Sequence, residues 1–489
     1  MICATTSQFY LSIFLNKLLI EFLILIFLIN GFNLKDKIRI ASGQGFWGDL
    51  IDAPYHQVTK GEIDYLVMDY LAEVTMSILQ KQKNRNPNLG YATDLTALMK
   101  KILPITSKKG IKVITNGGGV NPVACADAIL ETALEMNIGK LDIAVVLGDN
   151  IIGCLDEIID KGCELKNMDT GEPITTIKEK LLSANVYFGA APIVEALKRG
   201  ADIVITGRTT DTGLTLAPMI YEFGWDMKDY DLMAAGTVAG HILECGAQST
   251  GGNFLGDWES IENFTEIGFP IAEAYPNGEV IITKHENTGG RVSFDTIAEQ
   301  LVYEIGDPKD YITPDCVADF TSIKLKDVGK DRVKVFNVKG KPETEFYKVS
   351  CSYHSGYSAT GTLTYSWPQA LTKAKKADRI LRKRLEKLGL QFDEIRSEYV
   401  GYNATHENLA PELDEDKINE IVLRFSVRAK DRNTVNRFGQ EIAPLILTGP
   451  PSVTGFAGGR PKPKDVIAYW PALMPKKLVE PKVKILELK

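Results

Sequence analysis

Short apolar segments alternate with amphipathic helical segments through the first half of this chain, and this alternation restricts the fold more than any other feature. The segments KIRIAS (37–42), IKVIT (111–115), DIAVVL (142–147) and ADIVIT (201–206) are typical of strands buried on both faces. Segments with helical spacing separate them. We therefore predict the α/β class, with a doubly wound, mainly parallel sheet followed by a smaller α+β region.

A glycine-rich polar loop follows each of these strands: GQGFWGD, TNGGGVNP, LGDN and TGRTTD. In open α/β sheets the functional site lies at the carboxyl ends of the strands, so these loops are predicted to meet there. Asp49 and Asp149 stand at such ends. Each is a candidate acid or metal residue, with turn capping as the alternative.

Several other elements can be assigned from periodicity. Apolar spacing predicts a helix over Ile63–Gln82, and a strand is expected over Asn185–Ala190. Asn277-Gly278 predicts a hairpin turn. Further along, a strand over Ile421–Val427 and a helix over Thr434–Leu447 indicate the α+β region.

The chain has 489 residues, more than one hydrophobic core usually serves, so we predict two domains. Residues 37–255 should form the α/β domain with the glycine-rich loops, and residues 256–489 the α+β domain that completes the site. The net charge of -7 argues against a nucleic-acid-binding protein, which would show a basic footprint. Seven cysteines without paired spacing are typical of reduced thiols in an intracellular protein.

Residues 1–36 form a hydrophobic leader with a largely apolar stretch from Phe9 to Phe32. Its charge-free part is shorter than the ~20 residues that a spanning helix needs. Three interpretations stay open: a membrane anchor through residues 9–32, a targeting segment, or a mispredicted first exon. The expected location is otherwise intracellular, either cytoplasmic or mitochondrial.

The stretch GTVAGHILECGAQSTGGN, Gly236–Asn253, has the composition of a buried helix with one polar face. Glu244, Cys245 and Gln248 follow His241 at i+3, i+4 and i+7, which places all four side chains on one side of a helix. Small residues supply the packing on the other sides. This pattern indicates the wall of a pocket.

The candidate catalytic residues combine this helix with a histidine of the later TKHENTGG loop: His241, Glu244, Cys245 and His285. His241 is predicted to move a proton with Glu244 as its orienting partner. Cys245 is either a nucleophile or an inert buried thiol. A divalent ion on His241, Glu244 and Cys245, completed by His285, is the alternative, although no metal residue is assigned.

The predicted substrate-binding residues lie in three loops. An anion or thioester oxygen would be held by backbone N–H groups of the strand-end turn and by a guanidinium. For Arg208 the alternative is an internal pair with Asp211 that shapes its turn. The residues assigned to binding are Asn116, Gly117, Gly118, Gly119, Arg208, Asp211, Gly251, Gly252 and Asn253.

From Lys37 to the carboxyl terminus the chain resembles the acyclic terpene utilisation (AtuA) family. The resemblance lies in TNGGGVNP, TGRTTD, AGHILECGAQSTGGN, ITKHENTGG and QLVYEIGDP, in that order. It implies a catabolic role among branched acyl-CoA thioesters of the citronellol and geraniol pathways. Some relatives carry a further ferredoxin-like domain, whose function we expect here to be either absent or supplied by a separate partner polypeptide.

The sequence leaves two functions open. The first is an enzyme, a lyase or hydratase that acts on a branched acyl-CoA or related carboxylate by C–C cleavage or hydration. The alternative is a non-catalytic partner or ligand-binding subunit of an acyl-CoA-processing assembly. The cofactor is unknown, because no nucleotide motif occurs and a divalent metal stays open. We expect a small-molecule substrate, no nucleic acid and a homo-oligomer.

Overall fold

The computed structural model describes residues 35–455 and 458–488. The largely apolar stretch from Phe9 to Phe32 lies outside the described residues. Within them, no helix combines the length and hydrophobicity needed to cross a bilayer. The cysteines of this part of the chain are all free thiols.

The strands are numbered in chain order. They are β1 Ile38–Gln44, β2 Tyr65–Met68, β3 Lys112–Thr115, β4 Leu141–Leu147, β5 Leu181–Val186, β6 Ile203–Thr206, β7 Ile271–Ala274, β8 Val280–Thr283, β9 Tyr311–Ile312, β10 Val317–Asp319, β11 Lys324–Gly329, β12 Arg332–Phe336, β13 Lys339–Lys341, β14 Phe346–Ser366, β15 Glu394–Val400, β16 Glu420–Ala429, β17 Val453–Thr454, β18 Lys464–Pro475 and β19 Lys482–Leu488.

The helices are numbered in the same way. They are α1 Ala53–Thr59, α2 Glu73–Arg85, α3 Asp94–Lys109, α4 Pro122–Glu135, α5 Leu155–Asp160, α6 Ala191–Lys198, α7 Gly213–Phe223, α8 Tyr230–Glu244, α9 Phe294–Val302, α10 Ala370–Lys387, α11 Arg432–Ile442 and α12 Leu445–Thr448.

The largest sheet is mixed, so the predicted mainly parallel doubly wound sheet is wrong. Its order is β11-β12-β8-β7-β1-β2-β3-β6-β4-β19. Only the run β1-β2-β3-β6-β4 is parallel. Antiparallel strands extend it on both sides: β7, β8, β12 and β11 beyond β1, and β19 beside β4. Short connections between later strands, such as the β7–β8 hairpin, produce antiparallel pairs that no helix separates.

The parallel strands supply two hydrophobic cores, one on each face of the sheet. On β3, Ile114 packs into the first core and its neighbour Val113 into the second. On β6, Val204 lies in the first core while Ile203 and Ile205 lie in the second. Because strand side chains alternate between faces, these continuous apolar runs are buried on both sides as predicted.

The predicted helix over Ile63–Gln82 is wrong in its first half. Residues 65–68 form β2, which pairs with β1 and β3, and helix α2 begins only at Glu73. A four-residue apolar run buried on both faces fits the helical template as well as the strand template. Its pairing in the sheet decides between them.

A second sheet is antiparallel and is built around the 21-residue strand β14. The first half of β14 pairs with β18 and β5, and its second half pairs with β16 and β17. Strand β5 therefore belongs to this sheet and not to the parallel run. The hairpin predicted at Asn277-Gly278 is confirmed, since β7 pairs with β8 in antiparallel register.

Strands from both sides of residue 255 take part in the large sheet. The C-terminal strand β19 pairs along its whole length with β4. The division into domains at residue 255 stays a prediction.

Candidate active site

A pocket of about 700 Å³ opens where the parallel strands β1, β2 and β6 end. Helix α8, the start of α2, strand β9 and strand β14 close its other sides. The strand-end position expected for the site is therefore where the pocket occurs. Its polar lining consists of Asp69, Glu73, Tyr187, Arg208, Thr210, Asp211, His241, Glu244, Cys245, Gln248, Tyr303, Glu304, Tyr311, Thr313 and Lys348.

His241 and Glu244 form a close pair at the end of α8. His241 Nδ1 lies 2.9 Å from Glu244 Oε1, and the two side chains are 2% and 15% exposed. The rings of Tyr311 and Phe320 stand edge-on to the imidazole, with centroids 5.5 Å and 5.3 Å away. Two aromatic rings thus pack against the imidazole. Both His241 and Glu244 line the pocket, and Glu244 is the more exposed of the two.

The hydrogen bonds of His241 determine where its protons lie. Its Nε2 is 3.0 Å from the carbonyl oxygen of Gln300, which only accepts, so Nε2 carries a hydrogen. Its Nδ1 faces a carboxyl oxygen at close range, although the two are not aligned as a regular hydrogen bond. Two bare acceptors at this distance would repel, so one proton must lie between them, on Nδ1 or on the carboxyl oxygen of Glu244.

The pKa values of the pair agree with a shared proton. Burial opposes a charge on His241, but the carboxylate of Glu244 outweighs it and raises the pKa of His241. Burial raises the pKa of Glu244 as well, and the charge of Asp211 adds to that rise. Both groups therefore hold a proton more tightly than they do in water. This is the behaviour required of a general acid and of the residue that orients it.

Arg208 is buried, with a side chain that is 2% exposed, and it pairs with Asp211. Its Nη1 donates to Asp211 Oδ1 at 2.6 Å, and Nη2 lies 3.5 Å from Oδ2. The guanidinium also lies 4.1 Å from the centre of the Tyr187 ring. The structure thus shows the internal pair that the sequence left as the alternative for Arg208.

Asp69 follows β2 and is a further acidic group of the pocket. Burial raises the pKa of Asp69 well above its usual range, and Asp211 adds to the rise while Arg208 opposes it. Its Oδ1 accepts hydrogen bonds from Leu71 N and Asn116 Nδ2. Because Asp211 raises the pKa of Asp69 and of Glu244, its carboxylate acts on both acids.

Asn116 and the glycines after it support the site from behind. Asn116 Oδ1 accepts from Tyr70 N at 2.7 Å, and its Nδ2 donates to Asp69. The backbone N–H groups of Gly117 and Gly119 donate within the chain, to Thr115 and to Asn116. A Cβ on Gly118 would lie 2.6 Å from Pro122. These residues do not line the pocket, so they position Asp69 instead of meeting a ligand.

Lys348 brings a cation to the pocket from the second sheet. Its Nζ lies 3.3 Å from Glu73 Oε1 and 4.8 Å from the centre of the Tyr187 ring. The hydroxyl of Tyr187 donates to the same Glu73 oxygen at 2.9 Å. The side chain of Lys348 is 44% exposed, which leaves its ammonium accessible to a ligand.

The two aspartates at strand ends have their hydrogen bonds inside the protein. Asp149 Oδ2 accepts from Asn185 Nδ2 and from Arg208 N, both at 2.8 Å. Asp49 accepts from Gly45 N and Leu50 N. Both side chains therefore hold turns, the alternative that the sequence left open.

Cys245 lines the pocket, but its thiol is protonated. Burial raises the pKa of Cys245 to about 12, and the neighbouring charge of Glu244 adds to this. A nucleophilic cysteine needs the opposite environment, in which nearby positive groups favour the thiolate. The surroundings of Cys245 thus favour the inert thiol.

His285 and the glycines of the STGGN loop lie away from this pocket. His285 lines a separate cavity, where its Nε2 donates to the carbonyl oxygen of Gln57 at 2.9 Å. Gly251 packs against Ile261 and Gly252 against the carbonyl of Ala247. Asn253 adopts a positive φ of 56° in a turn. The structure does not bring these four residues to His241.

No group of three or more histidine, cysteine, aspartate or glutamate side chains within residues 35–455 and 458–488 is arranged to hold a metal ion. The proposed fourth ligand His285 lies in the other cavity.

The family model of acyclic terpene utilisation family protein AtuA matches residues 38–485. The chain belongs to the AtuA family. No curated protein and no solved structure matches it significantly. Membership in the AtuA family indicates a role in acyclic terpene utilisation, and it covers every element that forms the pocket.

The sequence analysis of this AtuA-family chain missed Asp69, Glu73, Tyr187 and Lys348. Asp69 had a signal, because it ends an apolar run in the same way that Asp149 follows β4. The helix assigned across β2 concealed it. Lys348 had no such signal in the sequence, because it lies inside β14 and reaches the pocket only through the packing of the second sheet.

Proposed function

We propose that this pocket is the active site of a lyase or hydratase that acts on a branched, terpenoid-derived acyl-CoA or related carboxylate. The proposed reaction is C–C cleavage or hydration. Both include a proton transfer at or near a carbon next to a carbonyl group. Family membership supports the substrate class, and the His241–Glu244 pair supports the chemistry.

The 2.9 Å contact between His241 Nδ1 and Glu244 Oε1 in the pocket is the observation that carries the proposal. An acid–base group must exchange a proton near neutral pH and must face the substrate. Glu244 lines the pocket, and burial raises its pKa above the ordinary value of a glutamate, which is the direction that an acid–base role requires. His241 also lines the pocket but is the less exposed member: its Nε2 donates to the Gln300 carbonyl, and its Nδ1 faces Glu244. We therefore assign proton transfer to Glu244 and a positioning role to His241, the reverse of the roles expected from the sequence.

Asp69 is the proposed second acid. Its Oδ1 accepts two hydrogen bonds, which orients the carboxyl group, and burial raises its pKa well above the ordinary value, which favours the protonated form. Two carboxyls of raised pKa in one pocket allow one to donate a proton while the other removes one. The negative charge of Asp211 favours the protonated form of both, although Arg208, its ion-pair partner, opposes this at Asp69.

Lys348 is the proposed anchor for a carboxylate or thioester oxygen. Arg208 already pairs with Asp211, whereas the ammonium of Lys348 shares one carboxylate with the hydroxyl of Tyr187 and stays partly exposed. An ammonium group polarises a carbonyl and lowers the energy of the negative charge that develops on its oxygen.

Hydrogen–deuterium exchange measured by mass spectrometry tests the proposal. The full chain is incubated in D₂O with CoA thioesters of acyclic terpenoid acids, and both deuterium uptake and new products are followed. Glu244→Gln keeps the shape of the side chain but cannot act as a base, so its turnover should fall by about 10²-fold or more. Glu259→Gln removes an exposed carboxylate and should leave turnover unchanged. Equal turnover of Glu244→Gln and the wild type would exclude the assigned role.

A non-catalytic ligand-binding subunit is the competing proposal. The observation that favours it is the internal pairing of Arg208 with Asp211, which leaves few free charges for chemistry. Such a protein would bind the thioesters without deuterium uptake or product in any arm of the experiment. Its affinity would respond to Lys348→Gln and not to Glu244→Gln.

A further inference from the structure

A second cavity, of about 650 Å³, lies where α1 and β8 end and β12 begins. We call it the basic cavity. Gly61 and His285 form part of its wall, together with the loop that joins β11 to β12. It shares no lining residue with the active-site pocket.

The basic cavity concentrates positive charge in a protein whose net charge is -7. Its lining contains two carboxylates, Glu286 and Asp331, against five cationic side chains: Arg39, Lys60, Lys284, Lys330 and Arg332. Like charges repel at close range, so a fold that gathers five of them around one cavity gains stability when an anion binds there.

Several of these cations have hydrogen-bond donors left for a ligand. Arg39 Nε is buried without a hydrogen-bond partner, and the nearest carboxylate oxygen, on Glu273, is 3.5 Å away. Arg332 donates a hydrogen bond from Nη2 to Glu273 Oε2 at 2.6 Å. Within residues 35–455 and 458–488, Lys330 makes no ion pair, and Lys60 has a partly exposed pair with Glu266 at 3.5 Å. Lys284 is different: it is 5% exposed, pairs with Asp331 at 3.3 Å and donates to the carbonyl of Thr288.

His285 reports the electrostatic potential of the cavity. Burial lowers the pKa of His285, and the charges of Arg39, Lys109 and Lys60 lower it further. Gly61 lies so close that a Cβ there would be 2.4 Å from His285 Nδ1. The imidazole is therefore held tightly against the wall, where a bound anion would act on its pKa.

We propose that the basic cavity binds the phosphate group of a phosphate ester. Phosphate carries about two negative charges and three acceptor oxygens, which several cations can approach from different sides. Arginine matches two phosphate oxygens at once, and lysine adds a point charge. The cavity is larger than one phosphate needs, so part of the group that carries the phosphate fits inside it. The inference does not depend on the reaction proposed for the active site.

Isothermal titration calorimetry with sodium diphosphate tests this site on the full chain at constant ionic strength. The double variant Lys60→Gln/Lys330→Gln removes two exposed cations of the cavity. The matched control is Lys324→Gln/Lys326→Gln, which removes the same charge from β11 outside the cavity. Diphosphate should bind the wild type with a stoichiometry of one. The Kd should rise at least about tenfold in the cavity variant and stay within about twofold in the control.

An imidazole NMR titration gives an independent readout, with His285→Gln used to assign the signal. Diphosphate should raise the pKa of His285, because it offsets the cations that lower it. Acetate at the same ionic strength should neither raise that pKa nor compete with diphosphate. The proposal is overturned if no saturable binding occurs, if the control variant loses as much affinity as the cavity variant, or if acetate competes equally.

Discussion

Replacing Asp149 with asparagine tests how the fold holds the strand-end loop that carries Arg208. The Asp149 carboxyl is buried and accepts hydrogen bonds from Asn185 Nδ2 and Arg208 N. Burial raises the pKa of Asp149 from 3.8 to about 6, because the fold disfavours the charged form more than its hydrogen bonds favour it. Stability must therefore depend on the ionisation of this one group.

The sign of the effect follows from proton linkage. Between about pH 4 and pH 6 the native state keeps the proton that the unfolded chain has released, so stability falls as the pH rises. The contribution of the protonated carboxyl is fully present below the unfolded pKa and is lost as the pH passes the folded pKa of about 6. A difference of about two pKa units at 1.36 kcal/mol per unit is about 3 kcal/mol.

Asparagine cannot ionise, so Asp149→Asn should not show this loss. Urea unfolding followed by tryptophan fluorescence from pH 4 to pH 8 gives the free energy of unfolding of each protein. The stability of Asp149→Asn relative to the wild type should increase by about 2–3 kcal/mol over that range. A pH-independent cost of the amide shifts the whole curve without changing this increase.

The matched control is Asp169→Asn, an exposed carboxylate of the loop before β5. Its stability difference from the wild type should vary by less than about 0.5 kcal/mol over the same pH range. A difference for Asp149→Asn that stays constant from pH 4 to pH 8 would refute the reasoning. It would mean that Asp149 ionises in the folded protein at the same pH as in the unfolded chain.

Two further predictions concern other parts of the molecule. Gly61→Ala should lower the free energy of unfolding by about 1–3 kcal/mol, because its Cβ would meet His285 Nδ1 at 2.4 Å. Gly139 has open space around it, so Gly139→Ala should change the free energy of unfolding by less than about 0.5 kcal/mol. Thermal denaturation of the two variants compares these effects. Cys245→Ala should keep most of the turnover of the wild type, because burial raises the pKa of the thiol to about 12 and no thiolate forms near neutral pH. A loss of turnover as large as that of Glu244→Gln would instead make Cys245 a participant in the reaction.

Local patterns predicted a large part of the site. The loops after β1, β3, β4 and β6 were expected at one edge of a sheet, and the parallel order of these strands puts them there. The i+3 spacing of His241 and Glu244 predicted neighbouring side chains, and Nδ1 and Oε1 lie 2.9 Å apart. Both predictions depend on backbone periodicity, which neighbouring residues determine.

Predictions that needed long-range contacts were less successful. His285 was grouped with His241 because both stand in glycine-rich loops, yet they line different cavities. Asp69 was missed because β2 is recognisable as a strand only through its pairing with β1 and β3. Lys348 comes from a strand that pairs mainly in the second sheet.

The sequence by itself determined the local elements and the family: which segments bury apolar side chains, where turns follow strands, and which polar residues share a helix face. Those features are properties of residues a few positions apart. Only the tertiary structure decided that the large sheet is mixed, that Glu244 is more exposed in the pocket than His241, and that five cations gather around a second cavity. The physical reason is that strand order, burial and charge clustering depend on groups distant in the chain, whose contacts exist only after folding.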